Sequence, residues 1–583
     1  MSSRREFLQL LAAAGAVGML PTARGEGHSD LYDVATYGDV RLLHTCDIHA
    51  QLSPIYFREP HVNLGLHSAR GKPPHLVGDA FLKYYNIASG SPLAHATTYL
   101  GMEELAARYG KAGGLAHLAH LIRQLRESYG TDKTMLLDSG DMWHGSATAL
   151  YTMGADMVEA ANLLGIDVIT GHWEFTYPAE TLRTRIKEFN GVFLAQNVFV
   201  KEDALFEGAE AYDEDSGLAF QPWVMRELGG RRIAVIGQAF PYTPIANPQR
   251  FIPDWTFGVR RTELQTQVEH IRANEKPDAV VLLSHNGADL DAQIAADVRG
   301  IDFILGGHTH DIFCQPRRID NTMVFNSGCS GKFVGCLDIA FDSNGISDFH
   351  YHLLPVFANA LPTDRTMAAH IETVRTPYAA ALGEKLAIAD ETLYRRGNFN
   401  GTMDQVILDS LRSHYDAQIA LSPGFRWGPS VLAGDAVRME DVMNVTATTY
   451  PETYVREMHG EELKTILESV ADNLYHPDPY YQQGGDMVRV GGMDYTLEPT
   501  STFGTRIADM RLDSGKSIEA NKRYTVAGWS TANPSDGPPM WEIMASYLRT
   551  QKTISVKKVN LPKLKGVANN SGIADYPKNL LVT

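Results

Sequence analysis

Five short segments of the chain place a carboxylate or an imidazole next to a small residue. The side chains concerned are Asp47, His49, Asp141, His172, His285, His308 and His310. Carboxylate oxygens and imidazole nitrogens bind divalent metal ions, and these seven groups exceed what one ion requires. They match two ions that share a bridging carboxylate, an arrangement that lowers the pKa of a water molecule and produces a nucleophile at neutral pH. Asp141, in Gly140-Asp141, is the best candidate for the bridge.

A short apolar run precedes each of these segments. The runs are Leu42–Leu43, Met135–Leu137, Val168–Ile169, Ala279–Leu283 and Ile301–Leu305. Such runs predict buried strands, and the carboxyl ends of parallel strands meet at one edge of a sheet. We therefore expect the seven side chains to converge there. Gly306 and Gly307 permit the tight turn that aims His308 and His310 at one point.

Strands and amphipathic helices alternate between residues 115 and 341, which predicts an α/β core. The chain has 583 residues and exceeds what one core usually supports, so two domains are expected. A boundary falls at Leu354–Thr363, followed by a helical connector over Met367–Leu382. The segment from Gln51 to Ala112 lacks clean periodicity and predicts a long loop that covers the site.

Charge and targeting features restrict the partners and the compartment. The formal net charge of -17 argues against nucleic acid and against an anionic membrane as partners. An anionic substrate remains compatible, because metal ions and a few arginines reverse the local potential.

Arg4-Arg5 before the weakly hydrophobic run Leu10–Leu20 predicts a twin-arginine export signal, cleaved near Ala23. The mature protein is expected outside the cytoplasm, in the periplasm, where a disulfide among Cys314, Cys329 and Cys336 is permitted.

The order and spacing of these motifs resemble the calcineurin-like metallophosphoesterase superfamily. The motifs are Asp47-x-His49, Gly140-Asp141, Gly171-x-x-Glu174, Ser284-His285 and Gly307-His308-x-His310. The second half is similar to the periplasmic 5'-nucleotidases in three segments: Pro423–Gly428 with Arg426, Gln483–Gly485, and the helix after Gly460. The resemblance implies a four-layer α/β/β/α metal domain and a smaller α+β C-terminal substrate domain. The predicted boundaries are a signal at 1–25, the metal domain at 38–355, a linker helix at 356–382 and the substrate domain at 383–565.

One departure from this family is informative. Its members usually carry Gly-Asn-His-Glu-Phe-Asp, in which Asn is a metal ligand and a His–Asp pair assists catalysis. Here the segment Gly171–Thr176 has His172 in the place of the Asn ligand, and Trp173 and Thr176 in the places of the pair. An indole cannot transfer a proton at neutral pH. A persulfide leaves as a stable anion without an acid, so the departure favours cleavage of an S–S bond.

Three strings resemble the SoxB family of bacterial sulfur oxidation, namely Tyr56–Pro60, Pro73–Gly78 and Gly171–Phe175. That resemblance implies a cysteine S-thiosulfonate substrate on a SoxYZ-type carrier protein, release of sulfate, and two manganese ions. Ligand chemistry alone suits zinc equally well. For the catalytic residues we expect Arg426 to bind the terminal sulfonate, Trp173 to shape the channel and His144 to contact substrate. A surface ion pair for Arg426 and a structural role for His144 are the alternatives.

Two other functions remain open on the sequence. A 5'-nucleotidase would hold a nucleobase between aromatic rings of the second domain, for which Phe425, Trp427, Tyr480 and Tyr481 are available. Packing at a domain interface explains each of these aromatic residues equally well. A binding protein that kept the scaffold without catalysis is disfavoured, because unused like charges at a binuclear site would lower stability.

Overall fold

The structure, a computed structural model, describes residues 31–582. Contacts divide the chain into two units, the first made of residues 31–54, 109–144 and 148–376, and the second of 55–108, 145–147 and 377–582. The predicted export signal at 1–25 lies outside the described residues.

The described part of the first unit contains fourteen strands. They are β1 (Val40–Thr45), β2 (Thr134–Asp138), β3 (Val168–Ile169), β4 (Val192–Phe193), β5 (Val198–Val200), β6 (Trp223–Leu228), β7 (Arg231–Gln238), β8 (Trp255–Phe257), β9 (Ala279–Ser284), β10 (Phe303–Gly306), β11 (Arg317–Ile319), β12 (Thr322–Asn326), β13 (Phe333–Asp342) and β14 (Gly345–Pro355). One six-stranded sheet has the order β14-β13-β1-β2-β3-β4, and a second has the order β11-β12-β10-β9-β7-β6. Strands β5 and β8 form a separate pair.

A shared apolar core joins the two sheets. Val40 and Leu42 of β1 belong to the same buried cluster as Ile233 of β7, Val281 of β9 and Phe303 of β10. Successive side chains of a strand point to opposite faces, so the residues between these face the helices. Arg41 shows this, because its guanidinium donates to the carbonyl of Leu125 in a helix. The layers confirm the predicted α/β fold.

Helices of this unit alternate with its strands along the chain or follow the last of them. They are Leu115–Tyr129, Ala155–Leu164, Ala179–Glu188, Glu202–Phe206, Thr243–Ala246, Arg261–His270, Ala288–Asp297 and Arg365–Arg375. The helix Leu115–Tyr129 buries leucines at 115, 118, 121 and 125, the spacing that predicted it. The predicted connector over Met367–Leu382 is interrupted. The helix Arg365–Arg375 ends there, and a 3₁₀ turn that contains Pro377 follows, because proline cannot continue the helical hydrogen-bond pattern.

The second unit is smaller and mixes helices with short-stranded sheets. The strands of its described part are β15 (Lys385–Ala389), β16 (Ile419–Ser422), β17 (Ala436–Arg438), β18 (Thr453–His459), β19 (Arg489–Gly491), β20 (Met493–Leu497), β21 (Ile507–Leu512), β22 (Arg523–Trp529), β23 (Thr553–Ile554), β24 (Lys563–Lys565) and β25 (Leu581–Val582). The sheet orders are β17-β15-β23, β18-β22-β16-β19 and β21-β20-β24-β25. Helices of the C-terminal part are Ala379–Leu382, Thr402–Tyr415, Met439–Thr446, Gly460–Tyr475 and Met540–Gln551.

The segment between residues 55 and 108 differs from the sequence prediction. It is not one long loop, since it contains the helices Asp79–Tyr85 and Pro92–Thr97 and most of the helix Met102–Tyr109. It belongs to the second unit, where Tyr56 pairs with Ser430. Each helix spans at most eight residues, too few to show a clear helical period in the sequence.

The second unit also extends past the predicted end at Lys565. Strand β25 pairs with β24, and Ile573 pairs with Val62. The last residues of the described chain therefore complete a sheet and hold the early segment in place.

Candidate metal centre

The ends of five strands bring together all seven residues that the sequence singles out. Ligand atoms of Asp141, His172, His285 and His308 lie within 4.8 Å of one another, and so do those of Asp47, His49, Asp141 and His310. All seven are buried, with exposed fractions of 5% or less. Asp141 belongs to both groups, and this is the position that a bridging carboxylate requires.

The shared carboxylate lies among three imidazoles. Its Oδ2 atom is 3.0 Å from Nε2 of His285, 3.1 Å from Nδ1 of His172 and 3.6 Å from Nε2 of His49. Asp47 has the matching position on the other side, with its Oδ1 atom 3.4 Å from Nε2 of His310. The nitrogen and oxygen atoms thus face one another across short gaps.

Five of the seven residues have a left-handed backbone. The φ angles of Asp47, His49, Asp141, His308 and His310 lie between 48° and 73°. This region is uncommon for residues other than glycine and costs about 1 kcal/mol or more each. The tertiary structure therefore holds the backbone of these five residues in an unfavourable conformation. This is expected where the direction of the side chain is required for the site.

Glu174 holds two of the site loops together. Its Oε1 atom accepts from the backbone N–H groups of Met142 (2.7 Å) and Trp143 (3.2 Å), and its Oε2 atom accepts from those of His172 (2.8 Å) and Asp141 (3.3 Å). The side chain is fully buried. A single carboxylate with four donors fixes the loop after β2 against the loop after β3.

A second set of hydrogen bonds orients the imidazole of His285. Its Nδ1 atom contacts the carbonyl oxygen of Ser139 at 2.5 Å, which leaves Nε2 directed at Asp141. The hydroxyl of Ser139 donates to the carbonyl of Leu305 and lies 2.7 Å from Nε2 of His44. Such outer contacts determine which nitrogen of a ligating histidine is available to a metal ion.

The electrostatics of the cluster favour cations. Burial by itself raises the pKa of Asp141, but His172, His285 and His49 hold that pKa well below its usual range. Burial lowers the pKa of His285, whereas Asp141 and Asp47 raise it to about 9. A proton on His285 thus takes the place that a metal cation would fill, so ion binding at this cluster releases protons.

The residues present fit two divalent ions. Each group of four offers carboxylate oxygen together with imidazole nitrogen, a donor set that manganese, zinc and iron all accept. Asp141 has no Lys or Arg among its ion-pair contacts in the described chain, where its ion-pair partners are histidines. Divalent cations would compensate that charge.

Trp173 and His144 lie beside the cluster. The indole of Trp173 stacks on the imidazole of His144, and its backbone N–H donates to Oδ1 of Asp141 at 2.7 Å. Both side chains are buried, as is Thr176. The structure therefore places a stacked indole and a threonine in the segment where the related phosphoesterases carry their His–Asp pair.

Phe240 is a residue of the site that the sequence prediction missed. Its ring stacks on His308 with centroids 4.2 Å apart, and it contacts His172 at 4.1 Å. It follows β7, a strand of the second sheet whose end carries no Asp or His. Its position at the end of a buried strand is the signal that could have found it.

Arg426 lies in a loop of the second unit between β16 and β17, and its side chain is mostly buried. In the same loop Phe425 and Trp427 stack on each other, with centroids 4.3 Å apart and planes inclined by 27°. Gly424 permits this loop to pass close to another segment, because a Cβ atom there would lie 2.3 Å from the carbonyl oxygen of Asp486.

The cysteines form no disulfide in the described chain. Cys46, Cys329 and Cys336 are buried and Cys314 is partly buried. Cys46, next to Asp47, donates to the carbonyl of Gly328 at 3.2 Å, which agrees with a packing role. Between residues 31 and 582, no helix has both the length and the apolar character needed to cross a bilayer.

Comparison with known proteins places this geometry in a family. Residues 384–542 match the family described as the 5'-nucleotidase C-terminal domain. The structure of the sulfate thiohydrolase SoxB of Thermus thermophilus is 33% identical to this chain, with a TM-score of 0.86, over 93% of this chain and 99% of that protein. The chain belongs to the SoxB family. This family lies within the 5'-nucleotidase and calcineurin-like metallophosphoesterase superfamily, as the sequence motifs predicted.

More distant relatives of this SoxB family member are phosphoesterases. The 5'-nucleotidase of Bos taurus is 23% identical, over 71% of this chain and 76% of that protein. The trifunctional nucleotide phosphoesterase YfkN of Bacillus subtilis is 24% identical over 68% of this chain. The chain spans only 29% of the length of YfkN. The protein is thus a metal-binding hydrolase of this superfamily.

Proposed function

We propose that this protein hydrolyses the terminal sulfonate of a cysteine S-thiosulfonate, which a SoxYZ-type carrier protein bears, and releases sulfate during thiosulfate oxidation. The observation that supports this proposal is the replacement of the phosphoesterase His–Asp pair by Trp173 and Thr176, with Trp173 stacked on His144. The 33% identity to SoxB along nearly the whole chain agrees with it.

The reaction needs no group that donates a proton to the leaving sulfur. Water supplies the oxygen that bonds to the sulfonate sulfur, and the bond from that sulfur to its neighbouring sulfur breaks. The electron pair leaves with the carrier's persulfide, and the products are persulfide anion, sulfate and two protons. An alkoxide from a phosphate ester would require protonation, whereas a persulfide is stable as an anion. An indole at position 173 therefore favours a leaving group that departs without protonation, such as a persulfide.

The residues of the first unit act as ligands. Two divalent ions, which we propose to be manganese, would be held by two groups of ligands that share Asp141. One group is Asp141, His172, His285 and His308, and the other is Asp47, His49, Asp141 and His310. When bound, such ions polarise the oxygens of the substrate and lower the pKa of water. Glu174 keeps the ligand loops in register, and the backbone N–H of Trp173 orients Asp141 so that both groups share it.

Arg426 is proposed to bind the sulfonate oxygens. A guanidinium presents a planar fork of N–H donors that matches an oxyanion in two parallel hydrogen bonds. Negative charge gathers on those oxygens in the transition state, so a cation placed there lowers the barrier. The tight loop around Gly424 and the stacked neighbours Phe425 and Trp427 restrict where Arg426 can go.

A periplasmic 5'-nucleotidase is the second candidate, since the curated relatives include nucleotidases. The packing of two of its four aromatic residues, Phe425 and Trp427, argues against it. A nucleobase requires a free aromatic face, but Phe425 packs one face on Trp427 and meets Trp529 edge to face at 5.7 Å. Trp427 itself is buried, with 3% exposed. Of the predicted aromatic residues, Tyr481 is the most exposed, at 62%.

The periplasm is the proposed location. The export signal predicted for residues 1–25 supports it, and the carrier substrate would be met there. Export of a folded protein by the twin-arginine route would allow the ions to be acquired beforehand.

One experiment separates the two candidates. The purified protein, reconstituted with manganese, is given thiosulfonate-loaded carrier or AMP, and sulfate and phosphate are measured by ion chromatography. We expect sulfate release at least about a hundredfold faster than phosphate release, and its loss after chelation. Arg426→Lys, which keeps the charge and removes the fork, should lower the rate by about tenfold or more. Rapid phosphate release without sulfate release would refute the proposal.

A further inference from the structure

Arg58 has an unusual environment in the second unit. Its guanidinium carbon lies 3.9 Å from the ring centroid of Tyr394 and 4.8 Å from that of Tyr99. Two aromatic faces therefore hold one cation. The side chain is partly buried, and so is Tyr394, whereas Tyr99 is buried. Contacts of this kind fix the plane of a guanidinium and remove part of its hydration.

Hydrogen bonds fix the position of Arg58 further. Its backbone N–H donates to Oγ of Ser430 at 3.0 Å, beside the pairing of Tyr56 with Ser430. Its Nη1 atom donates to Nδ1 of His61 at 3.2 Å. Burial, and secondarily Arg58 itself, lower the pKa of His61 to about 3, so this histidine stays neutral and accepts the bond at physiological pH.

Among residues 31–582, no carboxylate lies within 4.0 Å of the Arg58 guanidinium, and His61 is its one side-chain hydrogen-bond partner. Two other arginines of this unit with little exposure behave differently. Arg395 donates to Asp404 and to the carbonyl of Val445, and Arg489 pairs with Asp486. These two structural arginines each have a carboxylate partner, and Arg58 has none in the described chain.

The neighbouring charges do not remove the positive charge of Arg58. The acidic residue with an electrostatic effect on it is Asp575, which is exposed. Burial lowers the pKa of Arg58, as expected for a cation that lacks full compensation. A guanidinium nevertheless stays protonated at neutral pH.

We propose that Arg58, in contact with the rings of Tyr99 and Tyr394, is an oxyanion-binding site whose ligand is a carboxylate or a sulfate-like group. The guanidinium carbon lies over both rings, and His61 accepts from one of the five N–H groups. The remaining N–H groups lie in the plane of the fork, which is the direction from which a planar or tetrahedral oxyanion binds in a bidentate way. The site is independent of the proposed reaction, because it uses none of the seven metal-site residues or Arg426.

Selenate provides a direct test, because selenium has an anomalous X-ray signal and selenate has the shape of sulfate. Crystals of the full-length protein with its metal ions would be soaked in millimolar selenate. We expect an anomalous peak within hydrogen-bond distance of the Arg58 guanidinium in the wild type, and no peak there in Arg58→Met. Selenate bound only elsewhere in the wild type would overturn the proposal.

Affinity measurements complement the crystals and identify the class of anion. Titration calorimetry with sulfate and with acetate on the holoenzyme would show which of the two binds. For the anion that binds, we expect Arg58→Met to raise the dissociation constant by about tenfold or more. Asp575→Asn removes a competing negative charge and should lower the dissociation constant. Unchanged affinity in Asp575→Asn and in Arg58→Lys would overturn the proposal even if Arg58→Met fails to fold.

Discussion

The indole of Trp173 is stacked on the imidazole of His144, with ring centroids 4.9 Å apart and planes inclined by 13°. Burial lowers the pKa of His144 to about 3, so this imidazole is neutral at physiological pH. Neither ring of the pair is therefore suited to protonate a leaving group at neutral pH. This arrangement separates the protein from phosphoesterases that keep a His–Asp pair in the same segment.

Restoring that pair should change the substrate preference. In Trp173→His combined with Thr176→Asp, we expect activity on phosphate monoesters to rise by about tenfold or more relative to thiosulfonate, because a general acid becomes available for the alkoxide. Initial rates on AMP, whose leaving group is an alkoxide, and on a thiosulfonate measure the ratio. Trp173→Phe is the control, since it keeps an aromatic ring and adds no acid. A double variant with the wild-type ratio would contradict the leaving-group argument.

Asp141→Asn should reduce the metal content from two ions to at most one. The bridging oxygen that both groups share would lose its charge, and the amide offers one oxygen in its place. Metal analysis by mass spectrometry after extensive dialysis measures this. Asp167→Asn serves as the control, because Asp167 pairs with Arg126 away from the cluster. Two ions retained in Asp141→Asn would show that this carboxylate does not bridge.

His172→Asn should keep both ions but change their preference. An amide oxygen is a harder donor than an imidazole nitrogen, so the variant should bind manganese in preference to zinc more strongly than the wild type does. Competition between the two metals at equal concentration, read out as bound metal per protein, measures the change. If His172 is not a ligand, the bound ratio stays at the wild-type value.

Glu174→Gln should lower both stability and metal affinity. Four backbone N–H groups point at this carboxylate, and a glutamine would direct its own N–H₂ group at two of them. We expect the free energy of unfolding to fall by about 2–4 kcal/mol and metal affinity to fall by about 10–100-fold. Urea denaturation and metal titration measure the two effects. Glu180→Gln, at an exposed position, should change neither.

His61 should make the second unit less stable in acid. Its folded-state pKa of about 3 lies below the ordinary value of 6.5, so the unfolded chain binds more protons between these limits. The stabilising contribution is complete above about pH 6.5 and is lost as the pH falls toward 3, by up to about 1.4 kcal/mol per pH unit.

The difference in unfolding free energy between wild type and His61→Asn isolates this effect, because carboxylates titrate in both proteins. The amide of the variant would still offer an acceptor near Arg58 and would not titrate. We expect the free energy of unfolding of wild type, minus that of the variant, to decrease as the pH falls from 6.5 to 4.5. A difference that stays constant across this range would refute the assignment.

Much of the metal centre could be predicted from the sequence, because each of its ligands lies in a short motif that is visible within one segment of the chain. A short apolar run followed by Asp or His beside glycine is readable without any long-range contact, and parallel strands then bring their carboxyl ends to one edge. The family motifs and the α/β alternation are local in the same sense. Trp173 and Thr176 are likewise visible as departures within one segment.

The tertiary structure decided what depends on residues far apart in the chain. Only folding places Asp141 between two groups of ligands, stacks Trp173 on His144 and directs four N–H groups at Glu174. The short helices between residues 79 and 109 have too few turns for a periodic signal, and long-range packing assigns them to the second unit. Arg58 reads as an ordinary charged residue in the sequence. It becomes a fixed cation because folding brings the rings of Tyr99 and Tyr394, which lie far apart in the chain, into contact with its guanidinium.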